Sequence, residues 1–376
     1  TAGSISGKIY AISTLGSFVG TFIPDLFLIP LIGTFRTFLL IGATLVVFSL
    51  IALTMKVDWR KSLSFIWMPA VIILLWFYGS PGFDKDSQGL IFETESSYNY
   101  IQVLEENGFR LLRLNEGQGI HSMYHPDQNN YYGPWEQVLV APFFNQPPVY
   151  LEEVKSMAIV GLAAGTTARQ AFLVYPDINI DGFEIDSKIV EAGYQFFDMA
   201  NPRLNVFVQD GRWGLATSQS MYDIISVDAY RPPYIPWHLT TVEFFQEVFD
   251  HLNQGGVMVI NIGGGLDDRR LINALGSTIL QVFPTVHVMD LPDSFNSILF
   301  ATKTPTDPDN LKRNFEIVSA QDVNRLLLST MERTIYNLKS PPETTLVFTD
   351  DKAPIEWYTN AMIIEFFLEG KSESLQ

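Results

Sequence analysis

The stretch Ser156 to Asp186, SMAIVGLAAGTTARQAFLVYPDINIDGFEID, most constrains what this chain can fold into. An apolar run, Met157 to Val160, leads into Gly161-Leu-Ala-Ala-Gly165, where small residues let the backbone pass close to a ligand. Thr166 or Thr167 can cap a helix that ends before Pro176. Ile178 to Phe183 reads as the next strand and delivers Glu184 and Asp186 at its end. Strand, tight turn, helix and strand in this order make a βαβ nucleotide unit. The turn would hold a ligand at the helix N-terminus, and Glu184 would accept hydrogen bonds from ribose hydroxyls. Glu184 lies at about the 20-residue offset from the glycines that this role needs. The turn lacks a full G-x-G-x-x-G. By itself the stretch therefore leaves open NAD, an S-adenosylmethionine-type nucleoside, or a crossover with no ligand.

The 376 residues leave room for more than one domain, and the absence of cysteine excludes disulfides and thiolate metal sites. Five basic and two acidic residues precede Pro81, a net +3, which leaves −20 on the remainder of a chain whose net charge is −17. So acidic a body disfavours nucleic acid and suits a cationic ligand, although acidity serves solubility equally well.

Residues 9–31, 37–55 and 63–78 are mostly apolar and read as two to three transmembrane helices. Trp59, Trp67 and Trp76 suit interfacial anchors, and Gly16 and Gly20 suit close helix packing. Asp25 should face another helix or the interface. The third run is slightly short and can also lie in the interface or pack in a core. Lys56, Arg60 and Lys61 between the second and third runs should lie inside. The expected location is the cell membrane, multi-pass, with the acidic body cytosolic and the third run re-entrant or interfacial.

A polar linker follows, and residues 90–150 read as a small antiparallel β domain. His121 and His125 have metal spacing only in a helix, and the Gly, Pro and Asp around them argue for loops, so no metal is expected. Residues 151–305 continue the βα alternation as a Rossmann-like, nucleoside-binding domain. Its final strands, Val286 to Met289 and Ser297 to Thr302, are joined so briefly that they should pair antiparallel. That suits the methyltransferase variant of the doubly wound fold better than the NAD one. Residues 306–376 read as a mainly helical extension containing FTDDKAPIEWYT. Glu184, Asp210 and Asp228 each end a strand, at the edge where open α/β sheets bind ligands.

Taken together, these segments resemble the spermidine synthase (polyamine aminopropyltransferase) family, in the bacterial branch where that domain follows membrane helices. The resemblance covers about Glu93 to Thr302. ESSYNYIQV is similar to the family's first strand, which implies Asn99 near the cofactor. LNEGQG is similar to L-D-G-x-x-Q, which implies Gln118 as the glutamine. Gly161 to Gly165 stands for the glycine-rich turn, and FEID for V-E-I-D, with Glu184 on the ribose and Asp186 beside it. Gln209-Asp210-Gly211 stands for the segment beside the adenine. VDAYRPP stands for D-S-S-D-P, which implies Asp228 as the catalytic aspartate, with Tyr230 bonding the amine or closing the pocket. Trp135-Glu136 is similar to the Y-H-E segment that helps hold the polyamine.

The implied reaction transfers an aminopropyl group from decarboxylated S-adenosylmethionine to a polyamine such as putrescine. The implied partners are a small polyamine and the membrane, without nucleic acid, and with self-association to a homo-oligomer left open. Two departures bear on this. Ala163 and Ala164 replace the acid of the glycine turn, and Arg231 replaces the second aspartate of D-S-S-D-P. They keep two alternatives open: an S-adenosylmethionine-dependent methyltransferase on another acceptor, and a non-catalytic membrane module with a relic fold.

Overall fold

A computed structural model describes residues 2–56, 62–79, 87–115, 119–231, 233–264, 268–341 and 346–368. The chain divides into two compact units, Thr1–Asn107 with Leu112–Gly119, and Gly108–Leu111 with Ile120–Gln376.

In the first unit, helix α1 (Ala2–Ile23) runs through a five-residue π segment (Pro24–Leu28) into α2 (Ile29–Lys56). The first two apolar runs are therefore contiguous helical pieces that meet at a kink. No polar turn separates them, and Gly33, with φ of 79° and ψ of 164°, only breaks the path locally. Thr34 restarts the helix there. Its backbone N–H and its hydroxyl both donate to the Glu95 carboxylate, the hydroxyl at 2.7 Å, so an anion sits at a half-buried helix start. Among the described residues, Gly3–Met55 is the stretch long and apolar enough to cross a membrane. The third run forms α3 (Trp67–Tyr78), 12 residues long, which packs on α2. At about 18 Å this helix by itself falls short of the roughly 30 Å hydrocarbon core. Arg60 and Lys61, on which the expected orientation rests, lie outside the described residues. Strand β1 (Leu90–Glu95) pairs antiparallel with β2 (Tyr100–Glu106), as the alternating pattern indicates. Strand β3 (Phe109–Leu114) is divided between the units after Leu111, and β4 (Ile120–Tyr124) belongs to the second.

The second unit is built on a sheet formed by β5 (Ser156–Val160), β6 (Asn179–Glu184), β7 (Leu204–Val208), β8 (Tyr222–Val227), β9 (Leu252–Gly263), β10 (Thr285–Asp290), β11 (Asn296–Thr302) and β12 (Leu338–Lys339). Their spatial order is β12-β10-β11-β9-β8-β5-β6-β7. Strands β5 to β9 pair in parallel, whereas β11 inserts antiparallel between β9 and β10. This is the methyltransferase-like doubly wound sheet expected from the short β10–β11 connection. Both faces are covered, which is why the strands read as nearly continuous apolar runs. Met157 and Ile159 of β5 enter one core while Ala158 and Val160 enter the other. The same two-residue period divides Val257 and Val259 of β9 from Met258 and Ile260.

The first core takes α4 (Thr166–Val174), part of α5 (Ser187–Phe196), the buried 3-10 stretch Trp135–Phe144, and the later helices α9 (Asp309–Ser319) and α10 (Arg325–Asn337). The second takes α6 (Gly211–Thr217), α7 (Val242–Asp250), α8 (Arg270–Ile279) and α11 (Ile355–Leu368).

Candidate active site at the carboxyl edge of the parallel strands

The parallel register aligns the ends of β5 to β8. Val160 lies opposite Phe183 on one side and Val227 on the other, and Glu184 lies opposite Val208. The ladder continues one step beyond the strands. Gly161 N and Leu162 N both donate to Phe183 O at 3.0 Å, Asp228 N donates to Val160 O at 2.9 Å, and Gln209 N donates to Glu184 O at 3.0 Å. Gly161, Gly165, Glu184, Asp186, Asp210, Gly211, Asp228 and Tyr230 thereby gather along one sheet edge.

Gly161 has φ of 91°, and a Cβ there would lie 2.5 Å from Asp228 O. Glycine is required because neither the backbone conformation nor the space admits a side chain. Gly165 also has positive φ and caps α4 by conformation alone. The expected threonine cap is absent, because the Thr166 hydroxyl is used by β4: it donates to Met123 O and accepts from Met123 N, each at 2.9 Å.

Glu184 is 8% exposed. Its Oε2 accepts from Ala163 N at 2.9 Å and its Oε1 from Asp186 N at 3.0 Å. Burial outweighs these bonds and pushes the carboxyl up to about 7. Ala164 N donates to Ser122 Oγ at 2.9 Å, and Gly165 N to Leu162 O at 3.0 Å. Every amide from Gly161 to Gly165 is thus bonded within the protein. The turn itself, Gly161 to Gly165, therefore offers no spare N–H among the described residues.

Asp186 is buried at the N-cap of α5, where it accepts from Lys188 N at 2.9 Å. Asp210 caps α6 through Trp213 N at 2.9 Å and presents Oδ2 to His238 Nε2 at 3.0 Å. That histidine bond, aided by the cap, holds its carboxyl below the ordinary range. Gly211 sits close over Val160, whose Cγ1 would be 2.5 Å from an added Cβ.

Asp228 accepts from Asn261 Nδ2 at 2.9 Å, and desolvation pushes its carboxyl up to about 6 despite that bond. The Tyr230 hydroxyl donates to Asn261 O at 3.0 Å and accepts from Gly263 N. Tyr230 is therefore tied to β9, and desolvation raises its phenol further. Asn261 was not singled out from the sequence. Its signal is an amide inside the apolar run Val257 to Ile262. It is 8% exposed, and its Oδ1 has no hydrogen-bond partner among the described residues.

The remaining expected residues belong to other elements. Glu136 is fully buried in the 3-10 stretch, where Oε1 accepts from Tyr131 N at 3.1 Å and Gly133 N at 3.2 Å, with Gln170 beside Oε2. Burial raises its carboxyl. Asn99 belongs to the first unit, where its Oδ1 accepts from Asn115 Nδ2 at 2.7 Å. Gln118 lies outside the described residues. His121 lies in β4, not in a helix, and burial lowers it to about 4. The His125 Nδ1 accepts from Asp127 N at 3.1 Å.

Comparison with known proteins gives these features a context. Residues 142–307 match the family model described as the spermine/spermidine synthase domain. A probable polyamine aminopropyl transferase of Bifidobacterium longum is 34% identical over 290 residues, 73% of this chain and 63% of that relative. The chain thus spans less than two thirds of that relative's length. A polyamine aminopropyltransferase of Vibrio vulnificus is 28% identical over 229 residues, 57% of this chain and 72% of its own. In fold, the chain is similar to a probable spermidine synthase from Corynebacterium glutamicum, with a TM-score of 0.52 at 20% identity, covering 64% of this chain and 89% of the other.

Proposed function

We propose, from the match of residues 142–307 to the spermine/spermidine synthase domain, that the chain is a membrane-anchored aminopropyltransferase. It moves an aminopropyl group from decarboxylated S-adenosylmethionine to a polyamine such as putrescine. The observation that carries this reading is the chemistry of the sheet edge. Three carboxylates, Glu184, Asp210 and Asp228, line it, while the amides of the glycine turn are already bonded. Such an edge suits a cationic nucleoside and disfavours a phosphate.

Glu184 would take the ribose hydroxyls and Asp210 the adenine side, with Asn99 and Gln118 completing the cofactor contacts as the resemblance implies. The attacking amine must be neutral. Its nitrogen forms a bond to the aminopropyl carbon attached to the sulfonium as the C–S bond breaks. The electron pair of that bond stays on sulfur, which leaves as a neutral thioether. The new ammonium then gives a proton to the Asp228 carboxylate. A carboxyl that titrates at about 6 is mostly ionised at neutral pH and can accept it. The sulfonium is already an activated leaving group, so positioning supplies much of the rate. Asn261 supports this role for Asp228: its Nδ2 fixes the carboxylate, and its partnerless Oδ1 is an acceptor suited to amine protons. Glu136 and Tyr230 would contribute to the amine side through the loops they order.

The stretch Gly3–Met55 would anchor the protein, with the domain on the cytosolic face where a charged nucleoside is accessible. Ala163 and Ala164, in place of an acid at the donor's charged end, favour one second reading, a methyl transfer from ordinary S-adenosylmethionine. One experiment separates them. Purified protein is titrated with decarboxylated and with ordinary S-adenosylmethionine, and transfer to putrescine is followed by mass. Preferential binding of the decarboxylated donor and a product heavier by one aminopropyl unit are expected. Binding of the ordinary donor alone would establish the methyltransferase reading, and binding of neither would leave the non-catalytic one.

A further inference from the structure

The FTDDKAP segment lies far along the chain from every residue assigned above, yet it docks beside them. Thr349 and Lys352 close a tight turn through two backbone bonds of 3.1 and 2.9 Å. Phe348, fully buried, plugs the turn into the second core, and Phe348 O accepts from Val242 N at 2.9 Å. The turn is fixed again at Asp350, whose backbone N donates to Glu243 Oε2 at 2.9 Å.

The Asp350 carboxylate is then aimed at Arg212, two residues after Asp210. Arg212 Nη1 and Nη2 donate to Asp350 Oδ1 and Oδ2 at 2.8 and 2.9 Å, a parallel two-bond pair, and the Thr241 hydroxyl donates to Oδ1 at 2.7 Å. The same guanidinium reaches Glu247 through Nε and Nη2, the latter at 2.7 Å, and through Nη1 donates to the backbone carbonyl of His238 at 3.0 Å. His238 in turn presents Nε2 to Asp210. A closed circuit results: Asp350 holds Arg212, Arg212 holds the backbone of His238, and the His238 ring holds the carboxylate that flanks Arg212 in sequence. It joins the first turn of α6 to the loop that begins at Asp228 and ends at α7.

We propose that Asp350 is a positioning residue of the site: through Arg212 and His238 it sets the placement of Asp210 and of the 229–238 loop. This rests on the reading of the sheet edge as the nucleoside site. The inference goes beyond packing because, among the described residues, Arg212 Nη1 is the side-chain donor at His238 O. Glu247 and the face of the Phe244 ring hold Arg212 to α7, and the Asp350 carboxylate adds a second two-bond pair on the Nη1–Nη2 edge, the edge whose Nη1 reaches His238 O.

The test compares wild type with Asp350→Ala and Asp350→Glu as the full chain in detergent. Backbone hydrogen exchange and titration with decarboxylated S-adenosylmethionine are both measured. In Asp350→Ala, faster exchange confined to Asp210–Trp213 and to the 229–238 loop is expected. Dissociation constants for the nucleoside should rise about 5- to 20-fold, with kcat changed less than KM for the donor. Asp350→Glu should restore at least half of both effects. Unchanged exchange in those two segments overturns the proposal, as does loosening spread evenly over the sheet, which marks a merely structural residue. If wild type binds no nucleoside, the cofactor reading fails by itself, and the exchange pattern still decides whether Asp350 positions these segments. Should Asp350→Ala not fold, Arg212→Lys, which keeps the charge but loses the planar two-bond pair, carries the same comparison.

Discussion

Asn261 Nδ2 donates to Asp228 Oδ1 at 2.9 Å, across the boundary between β9 and the loop after β8. This bond opposes the desolvation that raises the Asp228 carboxyl to about 6. The ionised form is the one that accepts a proton, so kcat/KM should show an acidic limb near pH 6, superimposed on the further rise that the neutral fraction of the amine gives up to about pH 10. Asn261→Ala removes the opposing bond, and its acidic limb should move to higher pH. A limb at the same pH in both proteins would separate Asp228 from the proton step.

Asp228→Asn keeps the shape and can still hydrogen-bond its neighbours. Folded protein with retained nucleoside binding and a turnover loss of about 10²- to 10⁴-fold is expected. Turnover within a few-fold of wild type would reduce Asp228 to a turn residue, as aspartates after strands often are.

Glu184 titrates at about 7 in the folded protein, above its ordinary value of 4.5. A raised carboxyl contributes stability that is fully present below the unfolded pKa and is lost as pH rises through the folded one. Unfolding free energy should therefore decline between about pH 4.5 and 7, and Glu184→Gln should flatten that slope. Ribose hydroxyls bond more strongly to the ionised form, so nucleoside binding should release protons near pH 6.5. Titration calorimetry in buffers of different ionisation enthalpy measures this. Nucleoside affinity in Glu184→Gln should fall by roughly 1.5–3 kcal/mol. Equal affinity in mutant and wild type would remove Glu184 from the ribose.

Gly161→Ala places a methyl 2.5 Å from the backbone oxygen of Asp228 at a φ of 91°. Backbone on both sides must move, and a destabilisation of about 1–3 kcal/mol is expected, with nucleoside binding weakened even in the folded fraction. Denaturant midpoints check the first effect and titration the second. A wild-type midpoint would mean that the turn is not as tight as described.

The 53-residue apolar stretch Gly3–Met55 should keep the protein in the membrane pellet after alkaline carbonate treatment. Recovery in the supernatant without detergent would refute anchoring. A variant lacking residues 1–79 should be extractable, which tests whether α1 to α3 are the anchor.

Local pattern in the sequence determined the βαβ unit, the glycine turn, and the acids Glu184, Asp210 and Asp228, because strand period and turn chemistry act over a few residues. The short β10–β11 connection likewise determined antiparallel pairing, since so few residues cannot complete a parallel crossover. Tertiary structure alone decided what those acids touch. Asp186 and Asp210 look alike as acids after strands, yet one is buried as the cap of α5 and the other is bonded to His238. Asn261 became a site residue only once β9 paired beside β8, a contact that spans 33 residues of chain. Arg212 and Asp350 meet across 138 residues, a distance over which no periodicity carries information. The membrane segment was legible as apolar, with a break between residues 31 and 37 where Gly33 leaves the helix, but the geometry of that break was not. Hydropathy reports the solvent a helix prefers, whereas the path past Pro24, Pro30 and Gly33 depends on backbone geometry and on the Glu95 carboxylate that meets the helix restarting at Thr34.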